Sequence, residues 1–368
     1  MKTILLSIII TLIGITNLLG QSKLKPGFDP IEYRDMLRIS MRQADSTKHA
    51  YPNLLAAYPT ANMVYQSEEV GIYNQWQMWI TPNNVGVIAI RGTVPKAESW
   101  IENFYSGMIP AEGRIKIDSS KYFNYKVADD SMAYVHAGWM IALAAMGEDV
   151  VSKINFYHEK GVKDFIIIGH SQGGAIAFLL RSYLYYLETP LARDITIKSY
   201  CSAAPKPGNL YYAYDFDLIT RGGWAFRVVN TEDWVPEMPF SIQTLQDVNE
   251  VSPFANGDAI FKDVSFAKRM YLEHAYHKMD KSTRKAQKVY TQYLGDKTYE
   301  FVSKTLPYHE KPNFVKSFNY STCGTPIILR PGRAYKENYL KNAKKHIFIN
   351  HLIYPYYLIT LEMWPERG

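Results

Sequence analysis

The hydrophobic positions of this chain change period several times, and those changes outline its elements. Trp76 to Ile80 and Val85 to Ile90 are apolar-rich runs on either side of Thr81-Pro82-Asn83-Asn84, a cluster of turn formers, and together they predict a β-hairpin. Phe165 to Ile168 is wholly apolar and mostly β-branched, the pattern of a strand buried on both faces. Directly after it, Ile176, Leu179, Leu180, Tyr183, Leu184 and Leu187 recur at helical spacing. Ile195 to Cys201, Trp224 to Val229 and Ile327 to Leu329 read as further strands. Residues 23–60 read as a helical region that starts at Asp29-Pro30, with Asp29 as cap and Pro30 in the first turn. Residues 258–306 carry Lys, Tyr and Ala at helical spacing and predict an inserted helical pair. Strands alternating with helices predict an α/β fold with a mainly parallel central sheet and helices on both faces.

Composition narrows this picture without changing it. The chain has 368 residues, 47% of them hydrophobic, enough for one large α/β domain with elaborations. The net charge of +6 is partly local, as in Lys341-Asn342-Ala343-Lys344-Lys345. Such a run reads as a solvated face, with attraction to anionic lipid or polysaccharide as the second reading. No zinc-finger spacing, basic zipper or ribonucleoprotein motif is present, so no nucleic-acid partner is expected. At the N-terminus, Lys2 precedes a nearly unbroken apolar run from Ile4 to Leu19, closed by Gly20-Gln21-Ser22. This is read as a signal peptide over residues 1–20, with residues 21–368 as the exported domain. Leu18 departs from the small residue usual before a cleavage site, which leaves an uncleaved anchor as the alternative. Export permits disulfides, but the chain has two cysteines, Cys201 and Cys323, read as buried free thiols.

The candidate chemistry sits where the buried strand meets the amphipathic helix. Gly169-His170-Ser171-Gln172-Gly173 is a nucleophile-elbow pattern in a strand–turn–helix context. A serine on such a turn is held clear of the backbone at a helix N-terminus, where free N–H groups and positive dipole collect. Its hydroxyl becomes a useful nucleophile only with a base to take the proton and donors to hold the oxyanion. Those partners are expected in the chain order serine, acid, histidine.

At this point the sequence resembles the fungal-type, or class 3, triacylglycerol lipases of the α/β-hydrolase fold. Val87-Ile88-Ala89-Ile90-Arg91-Gly92-Thr93 is similar to the family's strand and oxyanion loop, and Ser99-Trp100-Ile101-Glu102-Asn103 to its lid. Val135-His136-Ala137-Gly138-Trp139, the elbow, Ala204-Pro205-Lys206-Pro207-Gly208-Asn209 and Asn230-Thr231-Glu232-Asp233-Trp234-Val235-Pro236 follow in the family's order. Gly324 to Leu329 resembles its last strand. The resemblance implies Ser171 as nucleophile, Asp233 as the acid, and Thr93 with the Gln172 N–H as oxyanion donors. It implies a lid containing Trp100, Ile101 and Phe104. It places the base after the last strand, which selects His351, with His346 in reserve. His274 and His277 read as surface residues of the insertion, His170 as packing beside the elbow, and His136 as support for the helix behind it.

Residues 96–107 put Ala97, Trp100, Ile101, Phe104 and Tyr105 on one face of a helix, with Lys96, Glu98, Glu102 and Asn103 on the other. A moving lid and a fixed helix both fit that stripe. The expected activity is hydrolysis of carboxylic esters, lipids first, by a monomeric enzyme that needs no metal or organic cofactor and meets a lipid interface. An exported binding protein that keeps the fold, and a hydrolase of polysaccharide or aryl esters, are the competing readings.

Overall fold

The computed structural model describes residues 22–44, 61–187, 191, 194–249, 251–252, 265–341 and 346–365. The apolar run of residues 4–19, residues 45–60 and 258–264, and residues 342–345 of the basic run lie outside the described residues.

A seven-stranded sheet runs through the molecule. Its strands are β1 (Asn62–Gln66), β2 (Trp76–Ile80), β3 (Val85–Ile90), β8 (Asp164–His170), β9 (Thr196–Ser202), β11 (Ala225–Asn230) and β13 (Thr325–Leu329), adjacent in that order. β1, β2 and β3 pair antiparallel, which includes the expected hairpin, and every pairing from β3 to β13 is parallel. β3 and β8 are buried at every residue, as their unbroken apolar character requires in a sheet covered on both sides.

Two cores provide that cover. On one face, α1 (Pro30–Ala44) and α8 (Ile353–Met363) pack Tyr33, Leu37, Ile39, Tyr356 and Ile359 against Val87, Ile166, Tyr200 and Val228. On the other, α3 (Ala137–Glu159) and α4 (Gln172–Tyr186) pack Met140, Leu143, Ile176 and Leu180 against Ile88, Ile90, Phe165 and Ile167. A minor antiparallel sheet of β4 (Met108–Pro110), β7 (Tyr134–His136), β10 (Gly208–Asn209) and β12 (Tyr320–Ser321) lies beside this second core. β5 (Glu112–Lys116) and β6 (Tyr122–Lys126) pair antiparallel as a separate ribbon. Between β3 and β4 runs the short helix α2 (Ala97–Phe104). Asn209 caps α5 (Leu210–Ile219) by accepting the Tyr212 N–H.

Beyond β11 the chain forms α6 (Phe266–Thr291), which continues through a π turn at Gln292–Lys297 into α7 (Thr298–Thr305). Cys201 and Cys323 are free and buried. No helix among the described residues is long and apolar enough to cross a membrane. The parallel strands all point their C-terminal ends to one rim of the sheet, where open α/β folds gather their functional groups.

Candidate active site

Ser171 sits between β8 and α4 with φ 60° and ψ −128°, a left-handed conformation that a non-glycine residue adopts only when its surroundings fix it. Its N–H donates to the Ser202 carbonyl at 2.9 Å, tying the turn to β9. The two motif glycines are needed for closeness. A Cβ at Gly169 would run into the Gly173 carbonyl, and one at Gly173 into the Ile90 carbonyl of β3.

The Ser171 Oγ–H faces His351 Nε2 at 2.7 Å, and the His351 Nδ1–H donates to Asp233 Oδ2 at 2.7 Å. Asp233 follows β11 and is buried; its Oδ1 accepts the Val235 N–H at 3.0 Å. The Tyr356 hydroxyl donates to Asp233 Oδ2 at 2.7 Å while accepting the Asn230 N–H at 3.1 Å. Helix α8 therefore fixes the carboxylate from behind. His351 lies in the turn before α8, and its carbonyl accepts from His170 Nε2 at 2.6 Å. His170 Nδ1 in turn accepts from the Ser202 hydroxyl at 3.0 Å, and Ser202 meets the Tyr33 hydroxyl at 2.7 Å. Burial pushes His170 down to about 3, with the neighbouring His351 adding to the effect, so it holds the loop as a neutral ring.

Thr93 and Gln172 line, together with Ser171, a cavity of about 610 Å³. Asn103 Nδ2 donates to Thr93 Oγ1 at 2.9 Å, leaving the threonine proton free to point into the cavity. Asn103 is itself held from three sides. Its Oδ1 accepts the Trp139 indole N–H at 3.0 Å, and its carbonyl accepts His136 Nε2 at 3.1 Å. His136 Nδ1 accepts the Trp139 backbone N–H, capping α3, and burial lowers this ring to about 3. The cavity is mainly apolar, walled by Met41, Trp100, Phe104, Trp139, Phe348 and Leu352. Trp100, Phe348 and Trp234 form a run of rings with centroids 5.5 Å apart at each step.

Residues 87–243 match the model of the lipase (class 3) family. Over this segment the chain is similar to the class 3 lipases. Solved structures overlap it in part. A Yarrowia lipolytica lipase shares 18% identity over 60% of this chain and 78% of its own, with a TM-score of 0.43. Rhizopus niveus lipase II shares 20% over 57% and 74%, TM-score 0.40. A deletion mutant of the Rhizomucor miehei lipase propeptide complex shares 16% over 60% and 67%, TM-score 0.41. No curated protein matches the chain. The α/β-hydrolase fold rests on the strand order and elbow described above.

Within this matched segment, the expected polar face of α2 needs correction. The sequence pattern puts Glu102 on the solvated side with Lys96 and Glu98; it is fully buried, and Ser99 is too. Trp100 and Phe104, from the expected apolar stripe, are 39% and 57% exposed at the cavity mouth. The reason is tertiary. Glu102 Oε2 accepts from Asn74 Nδ2 at 3.0 Å and from Gln172 Nε2 at 2.5 Å, so two buried amides need it inside. Burial raises Glu102 to about 8, and those two bonds only partly offset the effect. A neutral carboxyl fits this geometry: Oε2 accepts twice, and Oε1 has no partner among the described residues.

The structure brings Ser171, Asp233, His351, Thr93 and Gln172 together, with Trp100 and Phe104 over them. Ile101 turns away to pack on the α3–α4 core. His346 lines the cavity, its Nδ1 accepting the Phe348 N–H at 3.2 Å. His274 and His277 are exposed on α6, and no group that could hold a metal occurs among the described residues. Glu102, Asn74 and Tyr356 were missed by sequence reasoning. Tyr356 had a visible signal, being in the Tyr354-Pro355-Tyr356 start of the helix after the base. Asn74 and Glu102, far apart in sequence, gave none.

Proposed function

We propose that this chain is an exported serine hydrolase that cleaves lipid esters. The observation that carries the reading is the hydrogen-bonded relay from Ser171 through His351 to Asp233, opening into an apolar cavity. Ser171 Oγ attacks the ester carbonyl as His351 Nε2 takes its proton. Asp233 holds the ring in the tautomer whose Nε2 is free, and stabilises the imidazolium that forms. The Gln172 N–H at the head of α4 and the Thr93 N–H and hydroxyl receive the developing oxyanion, with Asn103 orienting the hydroxyl. His351 then gives the proton to the leaving alcohol, and water releases the acid by the same steps in reverse. No step needs a metal or cofactor.

The substrate class follows from the wall chemistry. Trp100, Phe104 and Phe348 offer an acyl chain contact without hydrogen-bond partners, which favours fatty esters over sugar esters. Helix α2 acts as a fixed wall. Swinging it aside would break the bonds of Glu102 and Asn103 to Asn74, Gln172, Thr93 and Trp139. Export follows from the apolar run behind Lys2, and N-terminal sequencing of the protein from a host's medium tests it.

The activity test is hydrolysis of p-nitrophenyl esters from acetate to palmitate. Ser171→Ala and His351→Ala are expected to lower kcat by about 10⁶-fold, and Asp233→Asn by about 10⁴-fold. Activity that survives Ser171→Ala would overturn the reading. With α2 fixed, the rate should rise with chain length but show no jump where the ester forms micelles.

A further inference from the structure

Helix α6 is 26 residues long, and Gln287 is its only buried residue. Its two acidic side chains are both engaged within the helix. Arg269 Nε meets Glu273 at 2.7 Å and Arg284 Nε meets Asp280 at 2.6 Å, each four residues apart. At about 100° per residue, Glu273, Asp280 and Gln287 share the inner side. The outward side carries Lys278, Lys281, Lys285 and Lys288, all exposed, with no ion-pair partner among the described residues. Met270 and Tyr271, 57% and 72% exposed, stand in line with these cations.

The helix is rooted beside the active-site cavity. Tyr290 packs edge-on against Phe240 at 6.0 Å and against Phe318 at 5.2 Å. Phe240 directly follows Met238 and Pro239, which line the cavity. The C-terminal end of α6 is thus anchored next to residues that line the cavity.

We propose that α6 docks the enzyme on an anionic lipid surface, with the four lysines against the headgroups and Met270 and Tyr271 entering the boundary. The proposal rests on the lipid-ester reading for its purpose. Charge complementarity selects a polyanion, since this side carries four cations and no acid. The exposed Met270 and Tyr271, two turns before the lysines, select lipid over nucleic acid or acidic polysaccharide, because exposed apolar side chains gain only where hydrocarbon is within reach. Both arginines, the side chains best suited to phosphodiester recognition, are engaged inside the helix.

The test is flotation of the full chain with vesicles of phosphatidylcholine alone or mixed with phosphatidylserine. Binding should appear only with phosphatidylserine and fade as salt is raised. Replacing Lys278, Lys281, Lys285 and Lys288 together by Gln should lower vesicle affinity by about a hundredfold or more, with p-nitrophenyl butyrate hydrolysis unchanged. Met270→Ser with Tyr271→Ser should weaken binding and keep its salt dependence. Equal binding to both vesicle types, unchanged affinity in the Gln variant, or retention on heparin or DNA without vesicle binding would each overturn the proposal. Vesicle binding by a chain that hydrolyses no ester would instead overturn the hydrolase reading and leave the docking face standing.

Discussion

Helices α2 and α6 look alike in one respect: each alternates charged and apolar residues at helical spacing, so each has two faces. They differ in which face is turned inward. In α2 the interior takes Ser99 and Glu102 while Trp100 and Phe104 stand exposed at the cavity. In α6 the charged lysines face water and the helix touches the body near its C-terminal end. The difference is in the partners available. Next to α2 the fold brings two buried amides, Asn74 and Gln172, and an acid inside satisfies both. Nothing comparable waits for α6, and its acids pair with its own arginines. A periodic pattern predicts two faces; the donors and acceptors of neighbouring elements decide their orientation.

The sharpest way to break this contrast is to remove the acid. Glu102→Ala leaves the Asn74 and Gln172 amides without acceptor in a sealed site, which should cost about 3 kcal/mol of stability. It should also lower kcat, since Gln172 follows Ser171, the proposed nucleophile. Asp280→Ala on α6 breaks only a partly exposed pair and should cost under about 0.5 kcal/mol. Urea unfolding of the two variants gives the comparison directly, and equal losses would refute it.

The same acid has a pH signature. Glu102 is raised from 4.5 to about 8, so the folded chain keeps a proton that the unfolded chain releases above about pH 4.5. Stability from this group therefore falls as pH rises from 4.5 to 8, by a few kcal/mol at most, and Glu102→Gln should flatten that decline. His309 works in the opposite direction. Burial lowers it from 6.5 to about 4, and neither ring nitrogen has a partner among the described residues. The unfolded chain takes up a proton below pH 6.5 that the folded chain refuses until about 4, so stability is lost as pH falls through that window. His309→Leu should remove about 2–3 kcal/mol of that acid loss. Stability curves of the two variants, followed from acid to mildly alkaline pH, should bend at opposite ends.

Much of the fold was legible because its strands are either fully buried or cleanly paired. Phe165 to Ile168 could be nothing but an inner strand once a helix-period segment followed it. The family resemblance singles out Ser171, Asp233 and His351, and each occupies a local motif: an elbow, a turn after a strand, a residue before a helix. Glu102 was not, because its meaning lies in Asn74 and Gln172, which come from a loop and from another helix. A carboxyl four positions from Glu98 on a short helix reads as solvated, and only tertiary contact reverses that. For His170 the local motif suggests no more than packing; its two bonds, to Ser202 and to the His351 carbonyl, make it the brace of the base.

The exposed rings of α2 carry a smaller prediction, about selectivity rather than stability. Trp100 and Phe104 wall the cavity from α2 while remaining partly open to solvent. Replacing either by Ala removes acyl contact without opening a void in a packed core, so unfolding should change little. The lost contact should reduce kcat/KM for p-nitrophenyl palmitate by about tenfold, from roughly 1–2 kcal/mol of apolar burial. Acetate, too short to reach these rings, should be hydrolysed as before. A uniform fall across all chain lengths would mean that the rings serve the reacting centre itself.

The smallest effect belongs to the outer face of α6, and it sharpens the contrast by being small. Met270 and Tyr271 are exposed, and neither closes a cavity nor satisfies a buried donor. Surface substitutions of this kind change stability by no more than about 0.5 kcal/mol, so Met270→Ser and Tyr271→Ser should unfold at the wild-type urea midpoint. On α2, Glu102→Ala is one polar group removed and should shift that midpoint clearly. If the α6 substitutions were instead strongly destabilising, the outer face would have a partner within the chain, and the orientation argued here for α6 would fail.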